Sequence, residues 1–149
     1  PGRPARLAAI LEQGMMTHPN TARRLFSVWF AVRDLEASLR RLQDAGLESG
    51  ENREARSLGA KGQEVKAGDG YLLLLQSVDK NGVVNKFLSD RHDGEIIGVS
   101  IEVSDLNKAR SWIEGRSGRK LGPYDGFYGR SILIPPDLTH GVWLELFQQ

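Results

Sequence analysis

The sequence contains no cysteine, and that one absence removes a disulfide scaffold, a zinc finger, an iron–sulfur cluster and a cysteine nucleophile. Histidine is scarce: His18, His92 and His140 are the only three, so a site built from three or four histidines of this chain is all but excluded. Neither sign of charge predominates, because 20 Lys and Arg stand against 19 Asp and Glu. A dedicated nucleic-acid binder usually concentrates basic charge on one face, so that class is not expected. No run approaches the roughly 18–20 apolar residues of a membrane helix. The start, Pro1-Gly2-Arg3-Pro4, leads into no long apolar stretch of the kind a signal peptide carries. These absences point to the cytoplasm, and to neither a membrane nor a nucleic acid as partner. A first residue that is Pro rather than Met suggests a processed chain or one part of a longer protein. The glycines at 59, 62, 68 and 70 form neither a Walker A loop nor a dinucleotide fingerprint, and no G-x-S-x-G elbow is present.

What is present is enough for one domain. A chain of 149 residues, 40% hydrophobic, can bury a core of its own. Residues 5–15 carry Leu7, Ile10 and Leu11 at helical spacing, and Thr17–Arg24 read as a connector. Residues 25–32 (LFSVWFAV) are rich in strand formers, after which Asp34 caps a helix that ends at Gly46. Residues 48–70 suit short strands and bends, and 71–78 (YLLLLQSV) suit a buried strand. A polar bridge with a helical turn near Val83–Leu88 leads to a second round. Residues 96–103 (IIGVSIEV) form a strand, Asp105 caps a helix, a Gly/aromatic stretch follows, and 131–134 and 141–148 read as strands.

The second round repeats the first. Val32-Arg33-Asp34-Leu35 matches Val103-Ser104-Asp105-Leu106 at an offset of 71, and Gly70–Leu75 matches Gly141–Leu146 at the same offset. Each copy reads strand, helix, then two or three strands. Strand-V-x-D-L-helix in both copies, with the closing G-V-W-L-E-L, resembles the βαβββ module of the vicinal oxygen chelate superfamily. That group holds the glyoxalase, bleomycin-resistance and dioxygenase proteins, and the second copy is also similar to its epimerases.

The resemblance implies an α+β fold: two βαβββ modules (25–78 and 95–149) forming a cup-shaped mixed sheet with helices outside, in a domain over 25–149. The helix and connector of 1–24 lie outside it. It also implies a divalent metal held by one residue from the first and last strand of each module. The matching positions are Ser27, Leu74, Gly98 and Glu145, and only Glu145 is a good ligand type. The expectation is therefore no cofactor, with a divalent metal on Glu145 as the alternative. A homodimer, or an upstream module of the same chain, could complete the site.

Side chains alternate faces along a strand. Parity from the four matching positions gives a lining of Ser27, Trp29, Leu72, Leu74, Gln76, Gly98, Ser100, Glu102, Trp143, Glu145 and Phe147, with Phe26 among the residues packed beneath the helices. Such a wall suits a small, partly aromatic organic molecule. Ser27, Trp29, Leu74, Gln76, Ser100, Trp143 and Phe147 are the expected ligand contacts. Tyr124 and Tyr128 would close over the ligand from the loop, or simply belong to a turn-rich hairpin. Glu145, mid-strand in an apolar run, must be paired or functional, since a buried lone carboxylate is costly. Glu102 and His140 are the other candidate acid/base groups, although Glu102 can face solvent and His140 can be a turn residue. His18 and His92 read as structural and solvated. Three functions fit: a metal-free small-molecule binder, a lyase, isomerase or dioxygenase of the same superfamily working through Glu145, and a degenerate structural or dimerisation module of a longer protein.

Overall fold

A computed structural model describes residues 2–6, 18–90 and 93–149. His92 and most of the expected N-terminal helix lie outside the described residues. Among the described residues, eight strands form one sheet: β1 Ala22–Ala31, β2 Ser49–Ala55, β3 Ala60–Ala67, β4 Gly70–Ser77, β5 Glu95–Val103, β6 Pro123–Gly126, β7 Gly129–Ile134 and β8 Trp143–Phe147. Helix α1 (Leu35–Asp44) follows β1, α2 (Val83–Asp90) precedes β5, and α3 (Leu106–Ser117) follows β5. The strand order is β2-β3-β4-β1-β5-β8-β7-β6. Chain order and sheet order together are those of two βαβββ units joined by an antiparallel β1–β5 pair.

Each V-x-D-L signal does what its chemistry predicts. Asp34 accepts from the Ala37 amide at 3.0 Å and Asp105 from the Lys108 amide at 2.9 Å, so both helices start on a carboxylate cap. One apolar cluster packs α1 onto the outer face through Leu35, Leu39, Val32, Val65 and Leu74. A second packs α3 through Leu106, Ala109, Ile113, Ile132 and Leu146. The third fills the inside, with Trp29, Leu73, Leu75, Ile97 and Phe127 at its centre. The sheet curls far enough that its edges meet: the turn after β2 touches β6, and the Ser57 hydroxyl donates to the Asp125 carbonyl at 3.2 Å. The architecture is thus α+β, a curled eight-stranded half-barrel with helices outside.

One sequence expectation fails here, for a definite reason. In the register of the parallel pairs, Ser27 lies opposite Tyr71 and Gly98 opposite Trp143. Equivalent positions are 71 apart on β1 and β5 but 72 apart on β4 and β8. The repeat therefore carries a one-residue slip that a gap-free offset hides, and a one-residue slip exchanges the two faces of a strand. Leu73, not Leu74, faces the cup. Leu72 and Leu74 pack outward under α1, and the Gln76 carboxamide oxygen accepts from the Leu35 amide at 2.9 Å at the start of α1. Phe26 departs in the opposite sense. A register irregularity between Leu25 and Ser27 lets its ring sit against Tyr128 and Phe147, at 4.8 and 5.1 Å between centroids, instead of beneath a helix.

Candidate functional site

Glu145 is fully buried, at 0% exposure, in the middle of β8. Its Oε2 accepts from the Ser100 hydroxyl at 2.7 Å and its Oε1 lies 2.7 Å from the Ser131 hydroxyl. The Tyr128 amide approaches Oε1 at 3.4 Å. No cation is among these partners. Burial is the dominant influence on its acidity and raises the pKa above the usual carboxylate range, while the Ser131 and Ser100 hydroxyls and the Tyr128 and Phe127 amides pull the other way. Gly126 stands directly against this carboxyl, and a Cβ at that position would overlap Glu145 Oε1.

Trp29 fills the floor of the cup. Its indole Nε1 donates to Ser100 Oγ at 2.8 Å, and Phe127 meets its ring edge-on at 4.8 Å and 80°. The ring occupies the space that any side chain at position 98 would need, because a Cβ on Gly98 would overlap the indole. This geometry answers the question of a metal. Ser27 is a weak donor, Leu73 replaces Leu74 at the second position and is equally apolar, Gly98 has no side chain and Trp29 fills its place, and Glu145 is engaged by hydroxyls. The residues do not fit a divalent metal centre of the kind the resemblance implies. Among the described residues no three His, Asp or Glu side chains gather.

A second buried carboxylate, missed from sequence, stands on β3. Glu64 is 1% exposed and its Oε1 accepts from Arg53 Nε at 3.1 Å, while Arg53 also pairs with Glu51 at 2.9 Å. The Arg53 guanidinium lies over the Tyr128 ring, 4.8 Å from its centroid. The Tyr128 phenol adjoins Ser27 and Glu64, and burial pushes its pKa well above that of a free phenol. Tyr128 therefore connects the two carboxyls, with its amide on Glu145 and its phenol beside Glu64. Ala60, Gly62, Glu64 and Lys66 share a face of β3, and the polar Lys66 at its end leaves no clear sequence signal that Glu64 is buried.

Three buried side-chain oxygens in this interior have no well-formed hydrogen bond: Ser27 Oγ, Tyr124 Oη and Tyr128 Oη. Tyr124 is affected first by burial and then by the Glu145 carboxyl, both raising its pKa. These orphans are not placed at random. All three belong to residues packed against the wall that carries Trp29, Glu145 and Phe147.

The other expected residues divide between wall and rim. Ser27, Trp29, Ser100 and Phe147 are buried, and Trp143 packs half-buried against the inner cluster. Tyr124 and Tyr128 lie inside the cup rather than above it. Leu74 and Gln76 are on the outer face, as described. Glu102 is tied to Arg24 by a 2.6 Å ion pair. His140 is exposed in a left-handed turn, φ 58°, and is not among the partners of Glu145. Outside the hairpin that joins β6 to β7, a surface cavity of about 430 Å³ is lined by Glu54, Arg56, Ser57, Asp125 and Gly126. Gly126 lines that cavity and also stands against the Glu145 carboxyl.

Solved structures share this architecture. A methylmalonyl-CoA epimerase from Mycobacterium tuberculosis aligns at 24% identity over 89% of this chain and 92% of its own, with a TM-score of 0.79. A variant of the Streptomyces coelicolor methylmalonyl-CoA epimerase, in complex with 2-nitronate-propionyl-CoA, aligns at 22% over 86% and 95%, with a TM-score of 0.75. A hypothetical protein from Bacillus halodurans aligns at 19% over 85% and 94%, with a TM-score of 0.73. At these identities the likeness establishes the fold alone, two βαβββ units in one curled sheet. No family model matches the sequence, and no curated protein matches it.

Proposed function

We propose that this chain binds a small, neutral, carbonyl-bearing organic molecule inside the cup, without a divalent metal. The observation that carries this reading is the buried Tyr124 phenol without a partner, with the Ser27 and Tyr128 hydroxyls close to one another but in no well-formed hydrogen bond, beside a carboxyl that burial favours as the neutral acid. A buried polar atom left without a partner costs about 1–3 kcal/mol. Donors that find no acceptor within the protein are satisfied by acceptor oxygens on a ligand. A neutral ligand fits better than an anion, because Arg53 is already committed to Glu51 and Glu64. The aromatic walls, Trp29, Phe127, Tyr128 and Phe147, favour a planar or partly aromatic body. Because Trp29, Phe127, Tyr124 and Tyr128 fill the cup, the ligand would take the place of the Phe127–Tyr128 tip as the β6–β7 hairpin moves toward the outer cavity. Acyl-CoA thioesters are included as candidates for their neutral acyl thioester end, which would enter the cup while the phosphates stay outside, because structural neighbours are named for such substrates or hold them.

The test is a titration with acyl-CoA thioesters and with neutral aryl ketones, followed by tryptophan fluorescence and calorimetry. A saturable signal is expected from one class. Tyr124→Phe and Tyr128→Phe should each weaken it about fivefold to tenfold, while leaving the free protein equally stable or more so, because an unsatisfied hydroxyl has been removed. No binding by either class, or binding indifferent to both tyrosines, sinks the proposal.

A second reading, proton transfer, is favoured by the two carboxyls at opposite ends of Tyr128. Epimerisation needs one group to take a proton from one face of a carbon and another to return it on the other face. Glu145 and Glu64 would be that pair, in place of Glu102 and His140. Solvent deuterium entering the α-carbon of a chiral 2-methylacyl thioester, lost in both Glu145→Gln and Glu64→Gln, would establish it. Neither binding nor exchange would leave the structural-module reading.

A further inference from the structure

The hydrogen bonds around Glu145 have a determinable direction, and that direction reaches the hairpin which covers the cup. An indole N–H only donates, so Ser100 Oγ accepts from Trp29, and Glu145 Oε2 at 2.7 Å is the acceptor placed for its own single proton, an arrangement that leaves no hydroxyl unused. On the other side, Ser131 Oγ lies 2.7 Å from Glu145 Oε1 and 3.0 Å from the Gly129 carbonyl, which only accepts. Ser131 has one proton for two acceptors. If Glu145 carries a proton on Oε1, Ser131 accepts it and passes its own proton to Gly129, so every group is satisfied. If Glu145 is ionised, Oε1 competes for the Ser131 proton and the Gly129 carbonyl loses its donor.

Gly129 closes the tip of the β6–β7 hairpin with φ +87°, and that tip carries Phe127 and Tyr128, the rings packed on Trp29 and Phe147. We infer that the proton on Glu145 is a latch for this hairpin: neutral Glu145 anchors the tip through Ser131 and Gly129, and ionised Glu145 releases it toward the outer cavity. The inference rests on the proposed binding site and adds how that site is opened.

The surroundings support the sign. From β1, β5 and β7 the facing side chains are Trp29, Ser100 and Ser131, all uncharged. From β6 and the hairpin tip they are the phenols Tyr124 and Tyr128, and the ions beyond Tyr128 are Glu64 and Arg53, already paired. None of these groups facing the carboxyl carries a positive charge, although the Ser131 and Ser100 hydroxyls favour the ion. The Tyr128 and Phe127 amides favour the ion, but burial outweighs them. Opening the tip lets water reach the carboxylate, so ionisation favours opening.

The experiment is amide hydrogen exchange at residues 127–129 by NMR, corrected for intrinsic base catalysis, with β8 amides as the reference and no ligand present. Carbon-13 shifts of the Glu145 carboxyl report its ionisation in the same samples. In the parent protein, protection at the tip should fall about tenfold relative to β8 as Glu145 ionises. Glu145→Gln, neutral at every pH, should keep the tip protected throughout. Ser131→Ala should show the low protection already at acid pH. Equal pH dependence in the parent and in Glu145→Gln overturns the latch. So does a tip unchanged while Glu145 ionises, or a Glu145 that stays protonated until the protein unfolds. Because no ligand is used, each of these results leaves the binding proposal to its own titration.

Discussion

Two buried carboxyls stand in this half-barrel, one in each half, and they are kept inside by different chemistry. Glu64, 1% exposed, is held by a guanidinium. Glu145, 0% exposed, is held by two hydroxyls and peptide amides, with no cation. Moving an ion out of water costs several kcal/mol, and an opposite charge or a bound proton can each offset it. The first half uses the charge and the second half favours the proton. A carboxyl that rests as a neutral acid can donate as well as accept, whereas one locked to arginine is an acceptor only. The contrast makes Glu145 a group that can answer to a ligand or to pH.

The largest effect is expected where both halves depend on one residue. Trp29→Ala removes the floor of the cup and frees Ser100 from its fixed orientation, and should destabilise the fold by about 3–5 kcal/mol in urea denaturation. Arg53→Met leaves Glu64 buried without its partner. It should cost about 2–3 kcal/mol, less than for a fully buried pair because a quarter of the Arg53 side chain is exposed. Gly98→Ala pushes a methyl into the indole and should cost about 1–3 kcal/mol, with a shift in tryptophan emission. Glu145→Gln, which copies the neutral acid, should stay within about 1 kcal/mol of the parent, in contrast to Arg53→Met.

The pH dependence sharpens the same comparison. A folded-state pKa raised above the unfolded value means that the native state binds more protons between the two. Glu145 therefore contributes stability that is full below the unfolded value and is lost as pH rises through the folded one. Denaturation midpoints followed from acid to neutral pH should show that loss in the parent and lack it in Glu145→Gln.

Much of the fold was legible because its signals are local. The two Asp caps and the strand-rich runs around them require only near neighbours, and both caps form. The alternation in Trp143-Leu144-Glu145-Leu146 places Glu145 inward and its two leucine neighbours against α3. Face assignment on β4 failed because it depends on register across the sheet, and one slipped residue between the halves moved Leu74 and Gln76 outward. Phe26 turned inward for a similar reason, at an irregular β1–β5 pairing. Glu64 was illegible because it sits in a polar stretch, and only the fold shows that β3 buries it. From sequence, Tyr124 and Tyr128 suit either a lid over the cup or a turn-rich hairpin. That they fill it follows from the closing of the sheet edges, a long-range contact no local pattern reports.

The most direct measurement is a carbon-13 titration of the Glu145 side-chain carboxyl in the folded protein, repeated with Zn²⁺ or Co²⁺ present. The account predicts a midpoint above the ordinary glutamate value of 4.5 that the metal does not move. A midpoint at or below that value, or one pulled down by added metal, would contradict a cup built around a neutral acid.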